Sequence, residues 1–103
     1  QHNQGKFENA FSDYTQAIRL NDTLVQAYVN RGDLGIHTKE YDQAVADYTH
    51  ALEIDPELGI AYYNRGMANR NLGHHEEAIA DYNEAKRLQA VQSPNVTTAS
   101  FNR

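Results

Sequence analysis

The chain has 103 residues and a net charge of −5, with 9 Lys and Arg residues against 14 Asp and Glu residues, and it contains no cysteine. This length fits one domain, and the scattered, outnumbered basic residues argue against nucleic acid or an acidic membrane surface as a partner. No stretch is apolar for long enough to cross a bilayer. The lack of cysteine rules out disulfide and thiol chemistry but leaves the compartment open, with the cytoplasm favoured only slightly.

A pattern that repeats every 34 residues organises the chain. It includes alanine, aspartate and tyrosine positions and a block that contains Asn-Arg-Gly in two copies. The matched positions are Ala10, Ala44 and Ala78; Asp13, Asp47 and Asp81; Tyr14, Tyr48 and Tyr82; Ala17, Ala51 and Ala85; and residues 27–32 against 61–66. A fixed period of this length indicates one supersecondary unit stacked on copies of itself.

The first unit is a single predicted helix over about residues 6–20. Its apolar residues follow a three-four spacing, which places them on one helical face, and they are Phe7, Ala10, Phe11, Tyr14, Ala17 and Ile18. We expect residues 1–4 to be the last turn of a preceding helix, with Gly5 as its cap. The chain is therefore expected to begin half a unit out of phase.

Four further helices are predicted in two pairs, which gives five helices in all. The first helix of each pair covers about residues 24–37 and 58–72. Pro56 stops the helix before it, because proline disfavours a helical conformation in the preceding residue. Gly73 suits a left-handed C-terminal cap, whereas Lys39 occupies the same place one unit earlier and is expected to fit it less well.

Two glycines recur inside the first helices of these pairs. Gly32 and Gly66 each cost their helix about 1 kcal/mol relative to alanine, and the repetition of this cost indicates a packing reason. We expect each glycine to let the partner helix of its own pair lie against the helix backbone. Ala10, Ala17 and their copies lie on the partner helices, where their small side chains are expected to allow the same close approach.

These residues resemble the tetratricopeptide repeat family in period, spacing and residue size, over about Gly5 to Leu88. The resemblance rests on Ala27, Tyr28, Gly32, Tyr41, Ala44, Tyr48, Ala51 and Pro56, and on Ala61, Tyr62, Gly66, Gly73, Ala78, Tyr82, Ala85 and Leu88. It implies an all-α fold, a right-handed α-solenoid of antiparallel helix pairs. Within residues 1–90, the second helix of one repeat would precede two full repeats at about 25–58 and 59–90. Residues 91–103 are predicted to be a flexible tail or the start of a further segment.

In this family the first helix of each repeat lines a concave groove, and helical spacing gives two inward-facing stripes. The predicted partner-binding residues are Gln26, Val29, Asn30, Asp33, His37, Ile60, Tyr63, Asn64, Met67, Arg70 and Asn71. Tyr63 and Met67 differ from their counterparts Val29 and Asp33, and residues that contact a ligand need not repeat. Packing against a neighbouring helix explains Tyr63 and Met67 equally well.

Asn30 and Asn64 do repeat, and each amide can grip a peptide backbone. Bonding to a neighbouring helix is the somewhat stronger interpretation of both. The family's clamp for a chaperone's carboxylate tail uses Lys, Asn and Arg on successive first helices, but Ile60 and Asn64 stand where its Lys and Arg are expected. We therefore expect a mixed polar and apolar groove that binds an extended or short helical peptide through an apolar anchor.

The sequence does not indicate an enzyme, a metal site or a cofactor. Residues 74–77, His-His-Glu-Glu, are the one dense cluster of ligand-type side chains. Adjacent histidines on a helix point about 100° apart, unlike the i,i+4 pair of a zinc helix. Asp13, Asp47 and Asp81 recur too regularly for a catalytic set, and we interpret them as outer-face or inter-repeat hydrogen-bonding residues.

The sequence therefore predicts a non-catalytic protein-interaction module with a peptide or a protein as its partner. The alternative is self-association into a homo-oligomer through uncovered end helices, because exposed apolar surface favours association. The candidate residues for self-association are Phe7, Phe11, Tyr14 and Ile79. A third option is that the array is the interaction arm of a larger enzyme.

Overall fold

The computed structural model describes residues 2–92, with the side chains of residues 5–89. Within this range there are five helices and no strand. The helices are α1 (His2–Leu20), α2 (Val25–His37), α3 (Tyr41–Ile54), α4 (Gly59–Asn71) and α5 (His75–Gln92). The predicted all-α class is confirmed, and α2 and α4 begin and end within one residue of the predicted bounds.

The N-terminal residues correct one prediction. Helix α1 is continuous from His2, so residues 2–5 form its first turn and are not the end of a separate helix. Gly5 is not a left-handed cap, since Gly73 is the one described glycine with a positive φ. The physical reason is that a glycine inside a helix costs only about 1 kcal/mol, whereas a new helix needs a costly nucleus.

The C-terminal boundary of the array also differs slightly from the prediction. Helix α5 continues to Gln92, so residues 91 and 92 of the predicted tail are helical. The rest of that tail, 93–103, lies outside the described residues. The division of the chain into a second helix followed by two full repeats stays a prediction.

Each described helix packs on its neighbours along the chain. Helix α1 packs on α2, α2 on α3, α3 on α4, and α4 on α5. Helices α2 and α4 also touch each other, so the first helices of the two pairs lie side by side. This arrangement creates one shared surface on α2 and α4, and it is the surface that the sequence predicted to bind a partner.

Close packing within each helix pair depends on the two recurring glycines. A methyl group on Gly32 would lie 2.8 Å from Cε1 of Tyr48, and one on Gly66 would lie 2.9 Å from Cε1 of Tyr82. Tyr48 is fully buried, so its ring cannot move aside cheaply. The predicted packing reason is confirmed, because each ring belongs to the partner helix of the same pair and lies against the backbone of the glycine's helix. The methyl position on Gly66 also lies 3.3 Å from the backbone carbonyl of Ala78.

The first helix of each pair ends in the same type of turn. After α2, the backbone N–H of Glu40 donates to the carbonyl of Gly35 at 2.7 Å. After α4, the backbone N–H of His74 donates to the carbonyl of Asn69 at 2.8 Å. This bond defines a Schellman motif, which needs a left-handed residue just before the donor. Gly73 fills that place with φ 85°, whereas Lys39 fills it with φ 64°. The lysine turn therefore has the less suitable residue, as the sequence predicted.

Candidate functional site

A repeated arginine–aspartate pair joins the two helices of each pair. Nε and Nη2 of Arg31 on α2 donate to both carboxylate oxygens of Asp47 on α3, at 3.0 and 2.8 Å. Arg65 on α4 and Asp81 on α5 repeat this geometry at 3.0 and 2.8 Å. The hydrogen bond to Asp47 raises the pKa of Arg31 above its ordinary value. Such two-pronged bonds are directional, so they fix how α2 and α4 are presented.

The position of these aspartates corrects the prediction that they lie on the outer face or bond between repeats. Asp47 and Asp81 are 0% and 5% exposed, and each takes its arginine from the same helix pair. A buried carboxylate needs such a partner, because burial of an unpaired charge is costly. The link between repeats comes from the arginine, since Nη1 of Arg31 donates to the hydroxyl of Thr15 on α1 at 3.1 Å. Asp13, at the same repeat position, is exposed.

The α2 part of the predicted groove is polar and internally bonded. Nε2 of Gln26 donates to Oδ1 of Asn30 at 3.0 Å on the exposed surface. Asp33 accepts a hydrogen bond from the hydroxyl of Tyr48 and another from Nδ2 of Asn64, the latter at 3.2 Å. Burial and the bond to Asp33 raise the pKa of Tyr48 well above its usual range. Asn64 thus bonds to a neighbouring helix, as the structural interpretation expects, whereas the bond to Asn30 comes from its own helix, so that interpretation holds for one of the two copies.

Val29 differs from the other predicted groove residues. It is 6% exposed and belongs to the buried core, so it does not line a binding surface. Its counterpart Tyr63 on α4 is 49% exposed. The physical reason is that α2 has α4 beside it, whereas no further helix of the described chain lies beyond α4 and α5.

The α4 part of the surface is apolar and open. Ile60 is 54% exposed, and the ring of Tyr63 lies 5.5 Å from the ring of Tyr82 on α5. Together these side chains border a cavity of about 600 Å³, which we call the α4–α5 groove. Its lining residues are Gly59, Ile60, Tyr63, Arg70, Tyr82, Ala85, Lys86 and Gln89. The four lining residues from α5 were not among the predicted groove residues, because the prediction was limited to the first helices of the repeats.

A smaller cavity of about 220 Å³ lies between α2 and α4. It brings together four of the predicted groove residues, and its lining is Asp33, Ile36, His37, Tyr48, Asn64 and Met67. Asn71 is exposed, and its side chain donates to the backbone carbonyl of Met67 at 2.8 Å. Ile36 was not among the predicted groove residues, although it follows the same helical stripe. The partner-binding role of these residues stays a prediction.

The residues predicted for self-association are covered to different degrees. Ile79 on α5 is 59% exposed, and Phe11 on α1 is 36% exposed. The guanidinium of Arg31 lies over the Phe11 ring, 5.4 Å from its centroid. Phe7 and Tyr14 are half-buried, and Phe7 stacks on the ring of a histidine in α2. Self-association stays a prediction.

Neither a metal-binding cluster nor a membrane-spanning helix is present in the described part of the chain. Among the described side chains, those of residues 5–89, no group of three or more His, Asp or Glu is placed to hold a metal ion. None of the five helices is long and apolar enough to cross a membrane. Nδ1 of His74, in the histidine cluster, lies 3.4 Å from Oδ1 of Asn69 and so contacts the preceding helix.

Known sequence families and solved structures resemble this chain. Tetratricopeptide repeat profiles match residues 25–58 and 59–89. The Arabidopsis OM64 TPR domain is 33% identical, with a TM-score of 0.78 over 84% of this chain and 72% of that chain. The second TPR of Spaghetti (RPAP3), solved bound to the HSP90 peptide SRMEEVD, is 29% identical, with a TM-score of 0.79 over 84% of this chain and 81% of that chain.

A third solved structure is longer than this chain. MamA is 25% identical to it, with a TM-score of 0.83 over 86% of this chain. The chain spans about half of that protein, since it covers 52% of the MamA chain. Among curated protein sequences, none matches this chain significantly.

Proposed function

We propose that this chain, which belongs to the tetratricopeptide repeat family, binds a peptide segment of a partner protein on the surface of α2 and α4. The observation that carries the proposal is the exposure of two apolar side chains there. Ile60 and Tyr63 are 54% and 49% exposed, and they belong to α4, which touches α2 with its exposed amide Gln26. A peptide with an apolar anchor gains contact area on these two residues.

The rigidity of the surface supports binding. The Arg31–Asp47 bonds fix α2 to α3, and the bond from Asn64 to Asp33 joins α4 to α2. These contacts exist before a ligand arrives, so binding costs little ordering of the protein. Asn64 thereby acts by positioning Asp33, and the exposed Gln26 is better placed to meet a peptide backbone.

The peptide in the Spaghetti structure supports the class of ligand and no more. That second TPR was solved with the HSP90 peptide SRMEEVD. In this chain Ile60 and Asn64 occupy the positions where the family's carboxylate clamp has cations. We therefore expect the main contact to be apolar, and the proposed function involves no catalytic step.

The test is selection of peptides from a random displayed library with the whole chain, followed by calorimetry on the selected peptides. Tyr63→Ala removes the largest exposed anchor of the surface, and we expect it to weaken binding by about tenfold or more, as truncation of an aromatic anchor does. Leu20→Ala is the matched control, because Leu20 is 79% exposed but lies at the end of α1. Selected peptides that bind Tyr63→Ala as tightly as the native chain would refute this surface as the site.

A further inference from the structure

We propose that the α4–α5 groove takes an acidic peptide segment that has an apolar side chain between its carboxylates. The inference rests on the proposed function and adds the chemistry of the ligand. It places that ligand partly on α5, away from the first-helix positions of the family's carboxylate clamp. Its evidence is a comparison of the groove with the equivalent surface one repeat earlier in the same chain.

A shift of 34 residues matches this groove to a surface that is covered in the preceding repeat. Tyr82 and Ala85 in the groove correspond to Tyr48 and Ala51 on α3. Tyr48 and Ala51 are each 0% exposed, and α4 packs on α3. In the preceding repeat a helix, α4, occupies this surface, so the groove has room for an elongated segment along its length.

Two positions are apolar in the preceding repeat and cationic in the groove. Arg70 corresponds to Ile36, and Lys86 corresponds to Leu52, which is 7% exposed. Arg70 and Lys86 are exposed, and within the described residues neither side chain has a hydrogen bond or an ion pair. The residues that line the groove include no Asp or Glu. A chain of net charge −5 thus has a groove that attracts negative charge.

The centre of the groove changes in the opposite direction. Ile60 corresponds to Gln26 and Tyr63 to Val29, so the centre gains apolar surface. The outer face of a terminal repeat is usually polar, because it keeps the array soluble. This requirement does not explain why the apolar centre of the groove is larger than its equivalent and exposed. The pattern instead fits a ligand that is apolar in the middle and charged near its ends.

The geometry gives the length of the ligand. Ile60 and Arg70 are ten residues apart on α4, which is about 15 Å along the helix. Lys86 lies at the end of the groove that contains Ile60. Gly59, which precedes Ile60, packs against Leu88 and Ala85 of α5, and Lys86 follows Ala85 directly. An extended peptide covers about 15 Å with roughly five residues, so its carboxylates should flank a short apolar stretch.

Charge complementarity favours an acidic peptide over the chain's own C-terminal segment. Residues 93–103 include no Asp or Glu, and their one charged side chain is Arg103. That segment therefore offers no carboxylate side chain to Arg70 and Lys86. A long polyanion such as nucleic acid is disfavoured because the net charge of the whole chain is −5.

The experiment compares three fluorescent peptides of about seven residues, each with the same Leu-Phe-Leu centre and an amidated C-terminus. Their flanking residues are acidic (Asp and Glu), neutral (Asn and Gln) or basic (Lys). Fluorescence anisotropy with the whole chain should show that the acidic peptide binds about tenfold tighter than the neutral one at low salt. The difference should shrink at high salt, because salt screens exposed charges. The amidated end excludes recognition of a terminal carboxylate.

Variants assign the preference to the groove. R70Q/K86Q should abolish the preference for the acidic peptide, and R70E/K86E should reverse it in favour of the basic peptide. The matched control K6Q/R19Q removes two positive charges from exposed sites on α1, which among the described helices packs only on α2. This control should keep the preference of the native chain.

Several results would overturn the inference. Equal binding of the acidic and neutral peptides, no binding of either, or a preference that survives R70Q/K86Q would each do so. A tenfold gain on deletion of residues 93–103 would identify that segment as the occupant, and salt-sensitive oligomers that exclude the peptide in light scattering would identify a second copy. The proposed function is judged separately, by library-selected peptides and Tyr63→Ala, so either idea can fail alone.

Discussion

At the scale of single residues, one arginine joins a helix pair to the repeat before it. Arg31 gives two N–H groups to Asp47 and a third to Thr15. The side chain of Asp47 is 1% exposed and that of Arg31 is 14% exposed. Removal of one member of a buried ion pair leaves the other charge without compensation, which is costly even where the intact pair adds little net stability.

We expect Asp47→Ala to lower the free energy of unfolding by about 3–5 kcal/mol, because it leaves the Arg31 guanidinium without its partner. Asp13→Ala is the matched control, since Asp13 has the same repeat position but is exposed. Its effect should stay within about 0.5 kcal/mol. Urea unfolding followed by circular dichroism measures both values. Equal losses in the two variants would assign the effect to the repeat position and not to the buried pair.

The sequence predicted which aspartates are equivalent but not where they point. A 34-residue period shows that Asp47 and Asp81 share an environment, and it is silent on whether that environment is the core or the solvent. A second regularity in the sequence indicates the environment of the aspartates, since Arg31 and Arg65 each precede their aspartate by 16 residues. A charged pair that recurs at one fixed spacing indicates a pairing, and a paired carboxylate is one that can be buried.

At the scale of helices, the ends were predictable wherever a residue has a strong backbone preference. Pro56 and Gly73 flank α4, whose ends were predicted to within one residue, and the 34-residue repeat carries the same bounds over to α2. The same reasoning failed at Gly5, which lies inside α1. Glycine is compatible with both a cap and a helix interior, and the choice depends on whether the helix has enough neighbouring turns to continue through it.

The two Schellman turns allow a reciprocal test at this scale. We expect Lys39→Gly to raise the free energy of unfolding by about 1 kcal/mol, because glycine adopts positive φ without the steric cost of a Cβ. Gly73→Ala should lower it by about 1 kcal/mol, since nothing lies within 4 Å of the added methyl group and only the backbone conformation is penalised.

Chemical unfolding of both variants gives the comparison. Lys39→Ala is the control for loss of the lysine side chain, because it keeps a Cβ at φ 64°. It should leave the free energy of unfolding nearly unchanged. A gain in Lys39→Ala as large as that in Lys39→Gly would mean that the lysine side chain, and not its backbone conformation, limits the turn.

At the scale of the whole molecule, the architecture is linear. Among the described helices α1 packs only on α2, whereas α3 lies between α2 and α4. The period predicted this stacking, but it did not predict that α5 would supply half of the lining residues of the α4–α5 groove. Repetition identifies equivalent positions, but it does not show that the α4–α5 surface is open where the described helices end, while its equivalent on α2 and α3 is covered by α4.

We expect native-state hydrogen exchange to rank the helices by their number of neighbours. In an array each unit is stabilised by its own contacts and by the interface to the next unit. Backbone amides in the middle of α1 should therefore open at a free energy about 2 kcal/mol or more below those of α3, in line with the range seen for sub-global opening. Exchange measured by NMR at low urea gives a value for each amide.

The Asp47→Ala variant sharpens this expectation. Loss of the Arg31–Asp47 pair acts on the interface of α2 and α3, so the protection of α3 should fall toward that of α1. Protection in α1 itself should change less, because α1 opens before that interface breaks. If every helix of the native chain exchanges at one common free energy, the array unfolds as a single unit, and the ranking by neighbours is wrong.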